Sequence, residues 1–107
     1  METYVLSFSI WDARGLVTAD GGQVDPYVEV TCCDKRWLSE IELGKQQIVT
    51  WNANHIWNDI KLYPEQFKTA FLEIKVYARN WFLRDDLIGS CSLQLHSINT
   101  RKNHVRL

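Results

Sequence analysis

The sequence predicts an all-β protein, an antiparallel β-sandwich of about eight strands in one domain that covers residues 1–107. Short stretches in which apolar and polar residues alternate recur along the chain, and clusters of glycine, proline, asparagine and aspartate separate them. With 107 residues, 46% of them hydrophobic, the chain is large enough to bury one core.

Eight segments have the composition of strands. The clearest is 71–77, where Leu72, Ile74 and Val76 share one face. Segment 37–43 also fits a short helix, and we prefer the strand. The predicted strands cover residues 4–11, 26–33, 37–43, 45–51, 56–62, 71–77, 87–95 and 104–107.

Turns and loops are predicted between these segments. Residues 63–67 interrupt the alternation and can form one helical turn, with Pro64 near its start. The other predicted turns and loops cover residues 12–24, 34–36, 44, 52–55, 78–86 and 97–103.

Three cysteines, an odd number, do not indicate a disulfide framework. Cys32 and Cys33 are neighbours in a predicted strand, so we expect their side chains to point to opposite faces and not to form a bridge. Cys32 and Cys91 are predicted to act as small buried hydrophobic residues. A reducing, cytoplasmic setting is therefore expected.

Charge and composition exclude several classes of function. The net charge of −1 argues against nucleic-acid binding and against attraction to an anionic membrane by bulk charge. No apolar run approaches the ~20 residues of a membrane span, and no signal peptide is evident. His55, His96 and His104 are scattered and have no partners at catalytic or metal-ligand spacing. We therefore expect neither an enzyme nor a bound cofactor.

An Asp-Pro step marks the entrance to the second strand. Pro26 fixes its own φ and pushes Asp25 towards an extended conformation. A carboxylate held in this way at the end of a sandwich can contribute to a cation site. The alternative is that Asp25 only ends the loop and accepts backbone hydrogen bonds.

Four blocks of sequence, in the right order, resemble the C2 domain family over nearly the whole chain. Additional residues before the third block, and an early C-terminal end, depart from the family pattern. The blocks are 6–16, 25–30 (Asp-Pro-Tyr-Val-Glu-Val), 54–59 (Asn-His-Ile-Trp-Asn-Asp), and 72–77 followed by 85–89 (Asp-Asp-Leu-Ile-Gly).

C2 domains commonly bind calcium through acidic residues of the first and third loops, and the resemblance implies an incomplete set here. Ala19 competes with Asp20 for one position, and Ala78 occupies another. Affinity for calcium depends on the number of carboxylates, so the resemblance implies at most a weak site. Its candidate ligands are Asp20, Asp25, Asn80, Asp85 and Asp86.

The third loop carries three large apolar residues and a cation at its tip, Trp81, Phe82, Leu83 and Arg84. Such residues at a loop tip require a reason, and in related domains this tip enters the bilayer. Two alternatives remain: Trp81 or Leu83 folds back on the first loop, or the tip binds a protein. Many C2 domains bind phosphoinositide headgroups through a lysine-rich strand. The resemblance matches that strand to segment 45–51, which has a single lysine, so a phosphoinositide site is disfavoured.

The sequence thus predicts a non-enzymatic C2-type targeting module, part of a larger protein, that associates with membrane lipids without calcium through the tip of its third loop. A protein-interaction or oligomerisation module is the alternative, and a weak calcium-dependent phospholipid binder is the second alternative. The expected location is cytoplasmic, with peripheral attachment to membranes, and the expected partners are lipids or a protein.

Overall fold

The structure, a computed structural model, describes residues 1–15, 23–44 and 48–98. These residues form six strands and two short helices. In chain order they are β1 (Glu2–Arg14), β2 (Pro26–Cys32), β3 (Lys35–Leu38), β4 (Ile48–Leu62), α1 (Pro64–Thr69), β5 (Phe71–Ala78), β6 (Asp86–Gln94) and α2 (Leu95–Ile98).

The strands form two antiparallel sheets, as the sequence predicts. One sheet pairs β1 with β4, and the other has the strand order β3-β2-β5-β6. Inward and outward side chains alternate along β2 and in β1 between Tyr4 and Ile10. In β2, every second residue from Pro26 to Cys32 is buried. In β1, the inward side chains of Tyr4, Leu6, Phe8 and Ile10 pack on the core.

The core lies between the two sheets. Val28 and Val30 of β2 face Trp57 and Ile60 of β4, and all four are less than 10% exposed. Burying side chains of this size contributes roughly 1.5–3 kcal/mol each. The two sheets are also joined at one edge by an ion pair of 3.0 Å between Lys35 of β3 and Asp59 of β4.

The predicted turn at 52–55 is wrong, because β4 is continuous from Ile48 to Leu62. Asn52 has a φ of 49°, and the pairing with β1 shifts between Ile10 and Asp12, so a β-bulge occupies this position. The asparagine-rich segment that resembles a turn therefore continues the strand. Residues 48–51 of one predicted strand and the whole predicted strand 56–62 therefore belong to β4, while residues 45–47 lie outside the described residues.

Several other predicted boundaries need correction. β1 continues to Arg14, so the chain does not leave the strand at residue 12. The turn after β2 lies at Cys33 and Asp34 rather than at 34–36, because β3 already begins at Lys35. Strand β3 then ends at Leu38, and residues 39–43 are neither strand nor helix.

The two helices cover one end of the core. The predicted helical turn is confirmed as α1, with Pro64 in its first turn and the Tyr63 N–H donating to Gln66 Oε1 at 2.8 Å. Leu95 opens α2 instead of ending the preceding strand, and its side chain is buried. No helix in the described ranges is long and apolar enough to cross a membrane. The predicted strand at 104–107 lies outside the described residues.

The two neighbouring cysteines also differ from the prediction. Cys33 follows the end of β2 and has a φ of 58°, so the strand alternation does not extend to it. Its sulfur lies 3.8 Å from the sulfur of Cys32. Cys32 is buried, as predicted, whereas Cys91 is only half-buried.

Candidate functional site

One end of the sandwich brings together the segments that follow β3 and β5 and the residue that precedes β2. The register pairs Pro26 with Ala78 and Ala78 with Asp86, so Asp25 lies beside the loop 79–85. The Arg79 N–H donates to the Asp25 carbonyl oxygen at 2.9 Å. The antiparallel topology thus positions Asp25, the last residue before β2, next to the third loop (residues 79–85).

Asn80 shapes the turn of the third loop. Its Oδ1 accepts hydrogen bonds from the backbone N–H groups of Phe82 and Leu83, both at 3.0 Å. Asparagine side chains commonly stabilise turns in this way. The side-chain oxygen that the resemblance offers to a cation is therefore directed at the loop itself.

Asp85 is held by donors on both oxygens. Its Oδ1 accepts from the Asn80 N–H at 3.0 Å, and its Oδ2 accepts a short hydrogen bond from the Tyr27 hydroxyl. Arg79 Nη1 lies 3.6 Å from Oδ2. The hydrogen bond from Tyr27 and, to a smaller extent, the one from Asn80 lower the pKa of Asp85. Burial and the nearby Asp85 carboxylate raise the pKa of Tyr27 to about 12. Asp85 is thus a charged anchor inside the loop.

Asp25 is engaged in the same manner. Its Oδ1 accepts from the Gly44 N–H at 2.8 Å, and its Oδ2 accepts from the Trp81 indole Nε1–H at 2.7 Å. Gly44 adopts a φ of 66°, a conformation that favours glycine. The hydrogen bond from Gly44 and, to a smaller extent, the one from Trp81 lower the pKa of Asp25. One carboxylate therefore connects three segments of the chain.

The tip of the third loop, defined here as the apolar tip (Trp81, Phe82 and Leu83), is exposed. The exposed fractions are 58% for Trp81, 94% for Phe82 and 78% for Leu83. Trp81 is held by its hydrogen bond to Asp25, and the Arg79 guanidinium lies over its ring, 5.1 Å from the ring centroid. Phe82 and Leu83 have no comparable cover.

Sequence reasoning missed four residues at this end, namely Tyr27, Leu43, Gly44 and Arg79. Leu43 is 66% exposed and precedes Gly44, so the loop that follows β3 also presents an apolar side chain here. The sequence predicted a turn at Gly44, but no residue near it in the sequence indicated that its N–H would donate to Asp25. Arg84, which follows the apolar tip, is exposed.

The described carboxylates do not fit a calcium ion in this arrangement. Calcium requires six to eight oxygen ligands, and the oxygens of Asp25 and Asp85 already accept N–H and O–H groups of the protein. Asp86 is exposed at the start of β6. No group of three or more His, Cys, Asp or Glu side chains is positioned to hold a metal within the described residues. Asp20 and Ala19 lie outside them.

Known proteins share this architecture. The structure of a RIM C2 domain from Drosophila superposes with a TM-score of 0.73 at 17% identity and covers 88% of this chain and 77% of that one. A C2 domain of a plant Extended Synaptotagmin 1 gives a TM-score of 0.68 at 20% identity, with 86% and 69% covered. These likenesses show the fold alone.

Closer relatives are found by sequence. "Ferlin 2" of Toxoplasma gondii is 40% identical over 103 residues, which are 96% of this chain and 7% of that protein. "Multiple C2 and transmembrane domain-containing protein 2" of Mus musculus is 30% identical over 105 residues, 95% of this chain and 11% of that protein. The chain therefore spans a small part of either relative.

The model of the C2 domain family matches residues 4–106, nearly the whole chain. That match agrees with the two antiparallel sheets and with the structural neighbours. The chain belongs to the C2 domain family.

Proposed function

We propose that this domain is a non-enzymatic targeting module that attaches to phospholipid membranes through the apolar tip, without calcium. It would act in the cytoplasm as one module of a larger protein, attached peripherally to the membrane. The observation that carries the proposal is the exposure of Phe82 and Leu83 at the end of a fixed loop, 94% and 78%. Exposed apolar side chains at a loop tip are unfavourable in water unless they have a partner.

The contacts around the tip support membrane insertion without an ion. A flexible loop loses conformational freedom when it binds, and prior fixation reduces that loss. Here Asn80 holds the backbone of Phe82 and Leu83, and Asp25 holds Trp81. Hydrogen bonds within the protein therefore order the loop, so it does not need a bound cation for this purpose.

The chemistry of the tip also favours lipid. Phe82 and Leu83 can enter the acyl region, while the Trp81 ring and the Arg84 guanidinium suit the interface between lipid and water. Full burial would contribute at most roughly 1.5–3 kcal/mol for each of Phe82 and Leu83. Such a contribution gives weak, reversible attachment.

Flotation with phosphatidylcholine/phosphatidylserine vesicles tests this function. We expect the wild type to float equally well with a calcium chelator and with millimolar calcium. The double variant Phe82→Ser/Leu83→Ser should lose at least about tenfold in partitioning, since two apolar side chains no longer enter the lipid. The matched control is Val5→Ser/Ile56→Ser, which removes two exposed apolar residues from the β1–β4 sheet.

The control variant also tests the second candidate, a protein-docking or oligomerisation module. Val5 and Ile56 are 67% and 55% exposed on the outer face of the β1–β4 sheet, where Ile56 pairs with Ser7. An exposed apolar sheet face favours contact with another protein. Equal flotation of wild type and tip variant, together with self-association that only the Val5→Ser/Ile56→Ser variant abolishes, would replace the membrane proposal. Flotation that requires calcium would contradict its calcium-independent part.

A further inference from the structure

The hairpin between β2 and β3 contains an unusual pair of residues in its turn. The pairing of Cys32 with Lys35 leaves Cys33 and Asp34 as the two turn residues. Cys33 has a φ of 58°, whereas Asp34 does not have a positive φ. In two-residue hairpin turns with this pattern of signs, glycine is strongly preferred at the first position. A cysteine there is conformationally costly, which calls for an explanation.

This backbone conformation brings two sulfur atoms together. In a regular strand the side chains of neighbouring residues point to opposite faces, but here the Sγ atoms of Cys32 and Cys33 are 3.8 Å apart. Cys32 is 1% exposed, whereas Cys33 is exposed. Burial, and to a smaller extent the neighbouring Cys33, raises the pKa of the Cys32 thiol to about 12. The pair thus consists of one accessible thiol and one protected thiol.

We propose that Cys32 and Cys33 form a redox-sensitive dithiol that a hydroperoxide converts into a disulfide between neighbouring residues. The Cys33 thiolate attacks the distal peroxide oxygen, the O–O bond breaks, and the leaving alkoxide or hydroxide takes up a proton. Cys33 is then a sulfenic acid. The Cys32 sulfur attacks the Cys33 sulfur, and the hydroxyl group leaves as water with the proton of the Cys32 thiol. Two thiols lose two electrons, and the peroxide gains them.

The geometry makes this disulfide easy to reduce. The Cα atoms of neighbouring residues are about 3.8 Å apart across a trans peptide, whereas those of ordinary disulfides are usually about 4.4–6.8 Å apart. The bridged pair is therefore strained, and strained disulfides belong to the labile class. A thiol such as glutathione restores the dithiol, so the modification is reversible.

The pair is remote from the apolar tip. Cys32 pairs with Leu72 near the start of β5, whereas Pro26 pairs with Ala78 at its end. The inference therefore stands on its own, whether or not the tip binds lipid. It assigns a second, chemically distinct feature to the opposite end of the sandwich.

Mass spectrometry of the purified chain after brief treatment with hydrogen peroxide tests the proposal. We expect the wild type and the Cys91→Ser control to become lighter by two hydrogen atoms, with the loss confined to a peptide that contains both Cys32 and Cys33. Reduced glutathione should reverse the change. In Cys33→Ser this loss should be absent, and in Cys32→Ser the exposed Cys33 should gain oxygen or link two chains.

Several results would overturn the proposal. One is a wild-type chain in which Cys33 carries added oxygen while Cys32 still reacts with an alkylating agent after unfolding. Others are an unreactive Cys33 and a bridge between two copies of the wild-type chain. Since the wild type and Cys33→Ser suffice for this decision, a folding defect in Cys32→Ser would not affect it.

Discussion

At the scale of single residues, Trp81 is the side chain that links the third loop to Asp25. Its indole N–H donates to Asp25, while its ring lies under the Arg79 guanidinium. An ionised carboxylate only accepts hydrogen bonds, so each donor that it gains removes one position at which a cation could bind. Trp81 therefore orders the loop and occupies an oxygen of Asp25 with the same bond.

The substitution Trp81→Phe separates the hydrogen bond from the aromatic ring. Without the N–H donor, the pKa of Asp25 should rise towards its ordinary value, while the bond from Gly44 keeps part of the decrease. Carbon-detected NMR of the side-chain carboxyl groups measures this pKa. Asp59 is the internal control, because its pKa is lowered by Lys35 in another part of the molecule and should not change. An unchanged pKa of Asp25 would show that the bond to Trp81 does not form in solution.

The same bond has a consequence for stability. Because the pKa of Asp25 is lower in the folded chain than in the unfolded chain, where it is about 3.9, ionised Asp25 stabilises the fold above that value. This contribution disappears as the pH falls through the lowered pKa of the folded state. The difference in unfolding free energy between the wild type and Trp81→Phe should therefore be constant near neutral pH and shrink below about pH 4.

At the scale of elements, β4 shows what sequence patterns can and cannot predict. Its inward-facing residues occupy odd-numbered positions from Val49 to Trp57 and even-numbered positions from Ile60 onward, so alternation holds on either side of one shift. The pattern could not reveal continuity across 52–55, because asparagine in a bulge has the same local signal as asparagine in a turn. Pairing with the long strand β1 on both sides of Asn52 makes this position a bulge rather than a turn.

A pair of substitutions at Asn52 tests the bulge. Its φ of 49° is tolerated by asparagine and favoured by glycine, whereas a β-branched residue is strained there. Asn52→Gly should change the unfolding free energy by no more than about 0.5 kcal/mol, and Asn52→Val should lower it by about 1–2 kcal/mol. Urea unfolding measures both values. Thr50→Val, at an exposed position of β4 without a positive φ, is the control and should be nearly neutral.

The loops were less accessible to sequence reasoning than the strands. The alternation in β5 was sufficient to predict that strand, because its pattern is local. The contact between Asp25 and Trp81 joins residues 56 positions apart, and the contact between Tyr27 and Asp85 joins residues 58 apart. Such contacts depend on the whole fold, so the sequence identified Asp25, Trp81 and Asp85 but neither the partner residue Tyr27 nor which side chains bind one another.

At the scale of the whole molecule, the two ends of the sandwich differ in chemistry. One end carries the apolar tip and Arg84, and the other carries the Cys32–Cys33 turn and α1. The eight residues of β5 separate these ends by about 25 Å. The chain as a whole has a net charge of −1, so it experiences no general attraction to an anionic surface. The proposed attachment to membranes therefore relies on the apolar tip rather than on the overall charge.

The substitution Arg84→Ala distinguishes apolar insertion from electrostatic attraction. One basic residue near an anionic surface contributes about 1 kcal/mol, so its loss should weaken binding to phosphatidylserine-containing vesicles by at most about fivefold. On pure phosphatidylcholine the effect should be small. The Phe82→Ser/Leu83→Ser variant should instead lose binding on both kinds of vesicle, because acyl chains accept apolar side chains whatever the headgroup.

The control for charge is Lys68→Ala, which removes one exposed cation from α1 at the opposite end. It changes the net charge by the same amount, so an equal loss of binding in both variants would mean that overall charge governs attachment. High salt provides the complementary measurement, since it screens charges but leaves apolar burial intact. Binding that persists in high salt, falls slightly without Arg84 and disappears without Phe82 and Leu83 is the combination that follows from a fixed apolar tip on a nearly neutral domain.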